Sequence, residues 1–499
     1  MKSFRAPFTC IDPLRPSSLR SPRASPASGP IDAWKRLCGR TFSILLLFLA
    51  SACGGDAKGG GQGDILARLS AIPGMAVTER ADLIPASLPG YRFFLLEYTQ
   101  PVDHSAPNGP TFRQRLTLLH RDTNAPLVLY SSGYFVTPRP ARTELARLLN
   151  GNQLSVEHRY FVPSRPDPAD WSRLTIAEAA TDFHRISQAL AGIYRGRWIN
   201  TGGSKGGLTA IFHRRFYPND VYATVAYVAP ISFGAPDGRY IPFLRQVGET
   251  DCRDRLKDFQ VEALARRDRL KTLLTTQAPS LTFTRLGIDR AIEHAILETP
   301  FTLWQYSDAS ACVAIPSASS SDQAYYDFIN AHATWSNFAD ASIDAFSPYY
   351  FQAAIQLGYP DIDEEGLALN YPHSDTAPVY SPPGVATPYE AGAMPDVQSW
   401  VETQGQRLLF IYGQNDPWSA GAFSLGTAGD SFRYTVPAGN HGSRIVQLGA
   451  TDQAQALQTL SRWANVPTTT AAGVVQQALS AELEPPDPMD LELALHSRL

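Results

Sequence analysis

Two glycines flank a serine near the middle of this chain, and this short stretch restricts the fold more than any other. Residues 198–207 (WINTGGSKGG) place Ser204 between Gly202 and Gly206 in a G-x-S-x-G pattern. A serine on a sharp turn from a strand into a helix has a strained backbone and is crowded by the chain on both sides. Only small residues at the flanking positions leave its hydroxyl exposed. The stretch therefore predicts a buried strand, a nucleophile turn at Ser204 and a helix that begins near Lys205.

The sequence on both sides of this turn alternates between helix and strand signals. Upstream, residues 175–178 (TIAE) form a capping box, and apolar residues keep helical spacing as far as Ile193. Downstream, a second amphipathic helix ends at residues 218–220, and the apolar run 223–228 is typical of a parallel strand buried on both faces. This order indicates that Ser204 is a catalytic nucleophile. The alternative is a serine that only completes the turn.

An acid and a histidine with matching signals follow later in the chain. The predicted strand 407–412 ends shortly before Asp416, and His441 lies in a glycine-flanked loop after the last predicted strand, 432–436. Ser204, Asp416 and His441 therefore follow the chain order of α/β-hydrolases. In such a triad the histidine takes the serine proton and returns it to the leaving group, while the aspartate orients the ring. No pair among the ten histidines has the spacing of a zinc-binding helix, so we expect neither a metal nor a cofactor.

A second glycine-containing loop is expected to complete the catalytic groups. The apolar strand 126–130 leads into residues 131–134, and in an α/β-hydrolase this loop provides one backbone N–H of the oxyanion hole. We assign this role to Gly133 and Tyr134, because a glycine lets the backbone approach the substrate oxygen. The other N–H is expected from Lys205, the residue after the nucleophile.

The predicted elements give an α/β-hydrolase core, with a mostly parallel sheet and helices on both faces. Strands at 92–98 and 112–120 form an antiparallel hairpin at the sheet edge, and another strand covers 154–160. About 175 residues separate the strand at 223–228 from the strand at 407–412, which is too long for a loop and predicts a cap domain with its own core. Helices in this cap are predicted near 253–275, 285–297 and 322–332.

The predicted domain boundaries follow from these signals and from composition. They are a leader (1–52), a flexible tether (53–64), the first part of the core (65–232), a mainly helical cap inserted before the strand that carries the triad aspartate (233–400), the second part of the core (401–465) and a loosely ordered tail (466–499).

The amino-terminal region has the features of an export signal. A basic stretch and an apolar run at 42–52 end in small residues before Cys53, which predicts a signal peptide too short to span a bilayer. Residues 49–53 (LASAC) resemble a bacterial lipobox, in which Cys53 is lipidated and anchors the protein to a membrane, although Ala50 stands where Leu is usual. The alternative is ordinary cleavage, which leaves Cys53 unmodified and the protein secreted.

Charge and cysteine usage also bear on compartment and partners. Without residues 1–52, which hold eight Lys or Arg and two Asp or Glu, the formal net charge changes from −4 to about −10, and this argues against a nucleic-acid partner. Beyond the leader and Cys53, the cysteines that remain are Cys252 and Cys312. In an exported protein such a pair usually forms a disulfide. The alternative is two separate buried thiols.

Glu157, His158 and Arg159 lie together at the end of the strand predicted for 154–160. One interpretation is a hydrogen-bonded network that braces the sheet beside the active site, and this is the interpretation we favour. The other places Glu157 near the amino group of a substrate.

Several of these stretches together resemble one known family. They are YTQPVDH (98–104), EHRYF (157–161), GGSKGG (202–207), VAPISFG (228–234), GQNDPW (413–418) and NHG (440–442). Between about residues 90 and 465 the chain is similar to the secreted bacterial tripeptidyl aminopeptidases, the PS-10 peptidases of serine-peptidase family thirty-seven. Lys205, directly after the nucleophile, indicates this family more specifically than the other stretches do. The resemblance implies an α/β-hydrolase that removes short peptides from the free amino terminus of a peptide substrate.

The resemblance leaves the substrate contacts open. A cap helix similar to residues 350–358 carries a Glu in the related Pro-X peptidases, where this chain has Gln356, so another acid, Glu157 or Glu293, would have to bind the substrate amino group. Glu157, Gln352 and Trp418 are our candidate substrate contacts. A carboxylesterase or lipase on the same fold and a Pro-specific dipeptidyl peptidase or carboxypeptidase remain alternatives, and the oligomeric state stays open.

Overall fold

The computed structural model describes residues 64–468 and residue 489. The predicted leader, Cys53 and the tether up to residue 63 lie outside the described residues, as does the predicted tail beyond residue 468 apart from Met489. Among the described residues, no helix combines the length and apolar character needed to cross a bilayer.

The described residues form nine strands: β1 Met75–Glu79, β2 Arg92–Pro101, β3 Thr111–His120, β4 Leu127–Ser131, β5 Asn152–Val156, β6 Trp198–Gly203, β7 Ala223–Tyr227, β8 Leu408–Gly413 and β9 Phe432–Val436. The α-helices are α1 Ile65–Ser70, α2 Glu144–Leu149, α3 Ile176–Ala191, α4 Lys205–Phe216, α5 Tyr240–Leu244, α6 Thr250–Ala265, α7 Arg267–Gln277, α8 Ile288–Tyr306, α9 Asp322–His332, α10 Asp340–Gln352, α11 Thr376–Tyr380, α12 Ala393–Gln404 and α13 Ala450–Ala464. Short 3₁₀ helices include His373–Asp375, Pro417–Gly421 and Ile445–Gln447.

All nine strands belong to one sheet in the order β1-β2-β3-β5-β4-β6-β7-β8-β9. The strands β1, β2 and β3 are antiparallel to their neighbours, and every pair from β5 through β9 is parallel. A crossover puts β4 between β5 and β6. Because β4, β6 and β8 run parallel to one another, their carboxyl ends lie at the same end of the sheet. This is the predicted α/β-hydrolase arrangement, except that the β2–β3 hairpin does not form the edge: β1, which was not predicted, pairs outside β2.

Alternate residues of the central strands pack against helices on opposite faces of the sheet. On one face, Val225 and Ile411 contact helices α2 and α13 in one buried cluster. On the other face, Ala226 and Phe410 pack with helices α4 and α12. Because both faces are covered, the central strands are buried and mostly apolar, as the sequence of β7 indicated.

The prediction for strand β5 was wrong at its carboxyl end. The strand ends at Val156, not at residue 160. The chain leaves the sheet after Glu157, and Tyr160 has a φ of 74°, a left-handed conformation that an extended strand does not allow. The EHRY stretch therefore forms a bend beyond the strand.

Helices α5 to α11 form a cap that has its own buried core. Its centre includes Phe259, Leu274, Ile296 and Trp304, and the Cα atoms of Cys252 and Cys312, which the structure joins by a disulfide, are 5.5 Å apart. Helix α12 crosses residue 400, the predicted end of the cap, but it packs against the sheet. The domain boundaries given above otherwise stay predictions.

Helix α8 extends well beyond the helix predicted over 285–297, because it continues past Pro300 to Tyr306. A proline inside a helix has no N–H to donate to the carbonyl four residues earlier. Here the side chain of Gln260, which is buried, donates to the carbonyls of Ile296 (3.4 Å) and Leu297 (3.3 Å). A side chain from helix α6 thus compensates for the missing donor, and the last two turns of α8 reach the site described next.

Candidate active site

Ser204 lies on the sharp turn between β6 and α4, as the sequence predicts. Its backbone has φ 51° and ψ −126°, which is a strained conformation for a residue with a side chain. A Cβ atom at Gly202 would lie 2.3 Å from the Gly206 carbonyl carbon, and one at Gly206 would lie 2.3 Å from the Ser131 carbonyl oxygen. The requirement for glycine on both sides of Ser204 is therefore confirmed. The Ser204 side chain itself is partly exposed.

Asp416 and His441 are joined by a short hydrogen bond. The Asp416 side chain follows β8 and caps the 3₁₀ helix Pro417–Gly421, where its Oδ1 accepts from the N–H of Trp418 at 3.1 Å. Its Oδ2 lies 2.7 Å from Nδ1 of His441, and both side chains are fully buried. Because a carboxylate can only accept, Nδ1 of His441 carries the hydrogen. Nε2 of the ring is thereby left as an acceptor.

Ser204 and His441 line the same cavity. The buried Nε2 of His441 has no hydrogen-bond partner within the part of the chain that the structure describes. Catalytic hydrogen bonds are often long in enzymes without substrate and tighten when substrate binds. The three residues predicted from chain order are thus brought to one site, with the imidazole positioned as a base.

The loop after β4 packs directly against the nucleophile turn. Gly133 has a φ of 77°, and a Cβ atom there would lie 2.4 Å from the N atom of Gly206. Nζ of the buried Lys205 donates to the Gly133 carbonyl at 2.7 Å, which fixes the loop against helix α4. The N–H of Tyr134 donates to Oγ of Ser132 at 3.1 Å, so this amide is used within the loop. Of the predicted pair, Tyr134 lines the cavity together with Ser204 and Lys205, and Gly133 packs against the first turn of α4.

The loop that carries His441 is held by both the core and the cap. Glu144 accepts hydrogen bonds from the N–H groups of Ile445 (3.1 Å) and Val446 (3.0 Å), and from the hydroxyl of Tyr227 (2.8 Å). Burial raises the pKa of Glu144, and these hydrogen bonds oppose that rise. From the cap side, the N–H of His441 donates to the carbonyl of Gln305 on α8 at 2.9 Å. Sequence reasoning missed Glu144, because its partners lie far away in the chain.

The remaining walls of the cavity are mostly aromatic. Trp418 lines it near His441, with ring centroids 6.1 Å apart. Met489 also lines it, and its buried sulfur lies against Gly203, so this residue of the predicted tail is well packed. The cap contributes Glu298, Phe301, Tyr306, Tyr349, Tyr350 and Tyr359.

Two of the three candidate substrate contacts do not line the cavity. Glu157 is buried, accepts from the N–H of Val136 (3.0 Å) and the hydroxyl of Ser164 (2.7 Å), and pairs with Arg115 at 3.6 Å. Gln352 is also buried and is not one of the residues that line the cavity. Trp418 does line the cavity.

The other acid considered from sequence, Glu293, is bound inside the cap. Its carboxylate accepts from the N–H groups of Asn370 (2.8 Å) and Tyr371 (2.9 Å), and Arg267 pairs with it at 3.2 Å. Gln356 accepts from the N–H of Ile176 at 2.9 Å and links the cap to helix α3. Neither residue faces Ser204.

The acid that does line the cavity, Glu298, was missed because the predicted helix stopped at residue 297. A signal was present, since Glu298, Thr302 and Gln305 are polar residues at the i, i+4, i+7 spacing of one helix face.

The EHRY bend forms the bracing network favoured from the sequence. The buried Arg159 guanidinium donates to both carboxylate oxygens of Asp182, at 2.7 and 2.9 Å. Nδ1 of His158 lies 2.9 Å from the carbonyl oxygen of Arg159, and burial places the pKa of His158 well below its usual value. Across residues 64–468 and 489, no cluster of three His, Cys, Asp or Glu side chains has the geometry of a metal site.

The chain is similar to several known proteins. The chain matches the family PS-10 peptidase S37 over residues 60–487. It is 43% identical over 414 residues to the prolyl tri/tetrapeptidyl aminopeptidase of Streptomyces mobaraensis, which covers 81% of this chain and 86% of that protein. The lysosomal Pro-X carboxypeptidase of Homo sapiens is 28% identical over 169 residues, 30% of this chain and 34% of that protein. A solved proline iminopeptidase from Mycobacterium smegmatis aligns with a TM-score of 0.35 and 14% identity, over 74% of this chain and 99% of that one.

We expect Glu144→Gln to destabilise the fold by about 1–3 kcal/mol, because whichever way the amide is turned, its NH₂ group faces a backbone N–H of Ile445 or Val446. The matched control is Tyr227→Phe, which removes one hydroxyl donor and keeps both backbone hydrogen bonds, at a cost of about 1 kcal/mol. Urea denaturation measures both free energies of unfolding. An equal or smaller loss for Glu144→Gln would show that Glu144 does not hold the histidine loop.

Proposed function

Because this chain belongs to the PS-10 peptidase S37 family and is a serine peptidase that acts at peptide N-termini, we propose that Ser204, His441 and Asp416 are its catalytic triad. We further propose that it releases peptides of three or four residues. The observation that carries the first proposal is the 2.7 Å hydrogen bond between Asp416 and His441. His441 lines the same cavity as Ser204, whose backbone is strained. The second is supported by the name of the 43% identical relative.

In the first half of the reaction, Oγ of Ser204 attacks the carbonyl carbon of the scissile peptide bond. Nε2 of His441 takes the hydroxyl proton, and Asp416 stabilises the resulting imidazolium and keeps its ring oriented. The tetrahedral intermediate collapses when His441 gives the proton to the leaving nitrogen. The shortened peptide departs with a new amino terminus, and the released segment remains as an ester on Ser204.

In the second half, a water molecule replaces the leaving amine. His441 takes a proton from the water, the resulting hydroxide attacks the ester carbonyl, and the proton returns to Oγ of Ser204. The short peptide leaves with a free carboxylate. The enzyme is regenerated without a cofactor in either half.

We propose that the backbone N–H of Lys205 and an N–H of the Gly133–Tyr134 loop stabilise the oxyanion in both halves. Support comes from the direct contact between the Gly133 loop and the first turn of α4, and from the Lys205 side chain that holds this loop. Donors that are fixed before the reaction need no reorganisation when negative charge develops.

We expect Ser204→Ala to lower kcat by about 10⁴-fold or more while the protein stays folded, because the acyl-enzyme can no longer form. A fluorophosphonate probe should label the wild-type protein at Ser204 and leave the variant unlabelled. Ser319→Ala, which changes an exposed serine of the cap, is the control and should keep both labelling and turnover. Labelling of the Ser204→Ala protein would contradict the assignment.

We expect cuts at a fixed distance of three or four residues from the free amino terminus of a peptide. Mass spectrometry of a set of peptides of increasing length would show these products, and N-acetylation of the same peptides should abolish cleavage. Cuts near the carboxyl terminus would favour the carboxypeptidase alternative. One relative, the lysosomal Pro-X carboxypeptidase, is named for that activity. Cuts within acetylated peptides would contradict exopeptidase action.

We also propose that the protein is exported and lipidated at Cys53. The apolar run before Cys53 and the disulfide between Cys252 and Cys312 both support this, since disulfides persist in oxidising compartments. In a bacterial host, the wild-type protein should partition into the membrane fraction, and Cys53→Ser should move it to the soluble fraction. Mass spectrometry should find the mature chain beginning at a modified Cys53. A mature chain that retains the 42–52 segment would contradict export.

A further inference from the structure

Glu298 is the one carboxylate among the described residues that line the cavity. It lies on the third turn from the end of α8, on the cap side, and its side chain is 20% exposed. A partly buried carboxylate in an aromatic cavity is costly unless a cation or hydrogen-bond donors compensate for the water that it has lost. Its surroundings therefore indicate what the cavity is built to bind.

One oxygen of Glu298 is held by a histidine of the cap. Oε1 lies 3.1 Å from Nε2 of His373, a buried residue whose ring stacks on Tyr359 with centroids 5.7 Å apart. The ring N–H donates to the carboxylate and fixes its orientation. Oε2 makes no hydrogen bond to any residue that the structure describes, and so it remains available to a ligand in the cavity.

Three tyrosines of the cap line the cavity together with the Glu298 carboxylate. Tyr349, Tyr350 and Tyr359 all line the cavity, and the Tyr350 and Tyr359 centroids are 6.1 Å apart. Burial chiefly, and next the negative charge of Glu298, raise the pKa of Tyr350 and Tyr359 well above the usual value, so both phenols stay neutral. Neutral aromatic faces attract cations. A carboxylate with one available oxygen and three aromatic neighbours fits an ammonium group.

The position of Glu298 on α8 sets its distance from the catalytic histidine. Gln305, seven residues further along the helix, accepts the backbone N–H of His441 through its carbonyl. Seven residues of α-helix rise by about 10 Å. An extended peptide covers about 3.4 Å per residue. The span from the histidine loop to Glu298 therefore corresponds to about three residues of an extended substrate.

We propose that Glu298 binds the α-ammonium group of the substrate and that helix α8 sets the number of residues between this group and the scissile bond. The inference rests on the proposed role of Ser204 and adds the residue that recognises the free terminus. Glu157 and Glu293, the acids considered from the sequence, have carboxylates engaged elsewhere. Lys205 and Arg444 also line the cavity, on the side of the hydrolase core. Both are cations, so neither can bind an ammonium group in place of Glu298.

The test compares Glu298→Gln with the wild-type enzyme on two matched substrates. Both carry three residues before a fluorescent amide and no Lys or Arg, but one lacks the α-amino group. The wild type should prefer the free amine by about 100-fold in kcat/KM, the loss expected when one partner of a buried charge pair is removed. In Glu298→Gln this preference should fall to near one. Asp289→Asn, which removes an exposed carboxylate from the same helix, should keep the wild-type preference.

An unchanged preference in Glu298→Gln, or an equal loss on both substrates, would overturn the inference. Fluorophosphonate labelling of each variant separates this failure from that of the proposed function. Labelled Ser204 with an unchanged preference rejects Glu298 alone, whereas a wild-type protein that is not labelled at Ser204 rejects the triad. A series with two to five residues before the fluorophore tests the spacing. The wild type should turn over the three- or four-residue substrate best, and a preference for two or five residues would reject the role of α8 in setting length.

Discussion

Close packing of bare backbone around Ser204 is the constraint on which the catalytic geometry depends. Three segments meet there: the end of β6, the first turn of α4 and the loop after β4. No Cβ atom fits at Gly133, Gly202 or Gly206 without overlap with backbone atoms of a neighbouring segment. The amide groups beside the serine are therefore held by steric contact as well as by hydrogen bonds. A polar environment fixed in this way stabilises developing charge without rearrangement.

Helix α8 connects the two halves of the site physically. Its carboxyl-terminal end accepts a hydrogen bond from the backbone of His441, and the turn before Pro300 carries Glu298 into the cavity. The helix can continue through the proline because Gln260 supplies a donor to the carbonyls that lack one. The packing of two cap helices thus positions both His441, the proposed base, and Glu298 on the opposite wall. The proposed base and the proposed binding residue for the substrate amino group are thus both held by helix α8.

Local signals in the sequence were sufficient for the nucleophile turn, the parallel strands and the chain order of Ser204, Asp416 and His441. Each of these depends on a few neighbouring residues, such as the glycines at 202 and 206. The sequence did not reveal Glu298, because the donor that lets α8 pass Pro300 comes from a residue 40 positions earlier in the chain. Glu157 was mistaken for a possible substrate contact because the bend after Val156, which turns it inward, depends on distant hydrogen-bond partners.

The strands β7 and β8 are hydrogen-bonded neighbours, yet residues 228–407 separate them. Loop-closure entropy grows only with the logarithm of length, so replacing a connection of about 20 residues by one of this size costs the sheet about 2 kcal/mol. The buried core and the disulfide of the cap offset that free-energy cost. Mutations within the cap can therefore alter the aromatic wall or the position of Glu298 while the register of the sheet stays the same. If Glu298 and α8 set the length of the released peptide as proposed, that length can change through cap mutations while Ser204 keeps its position.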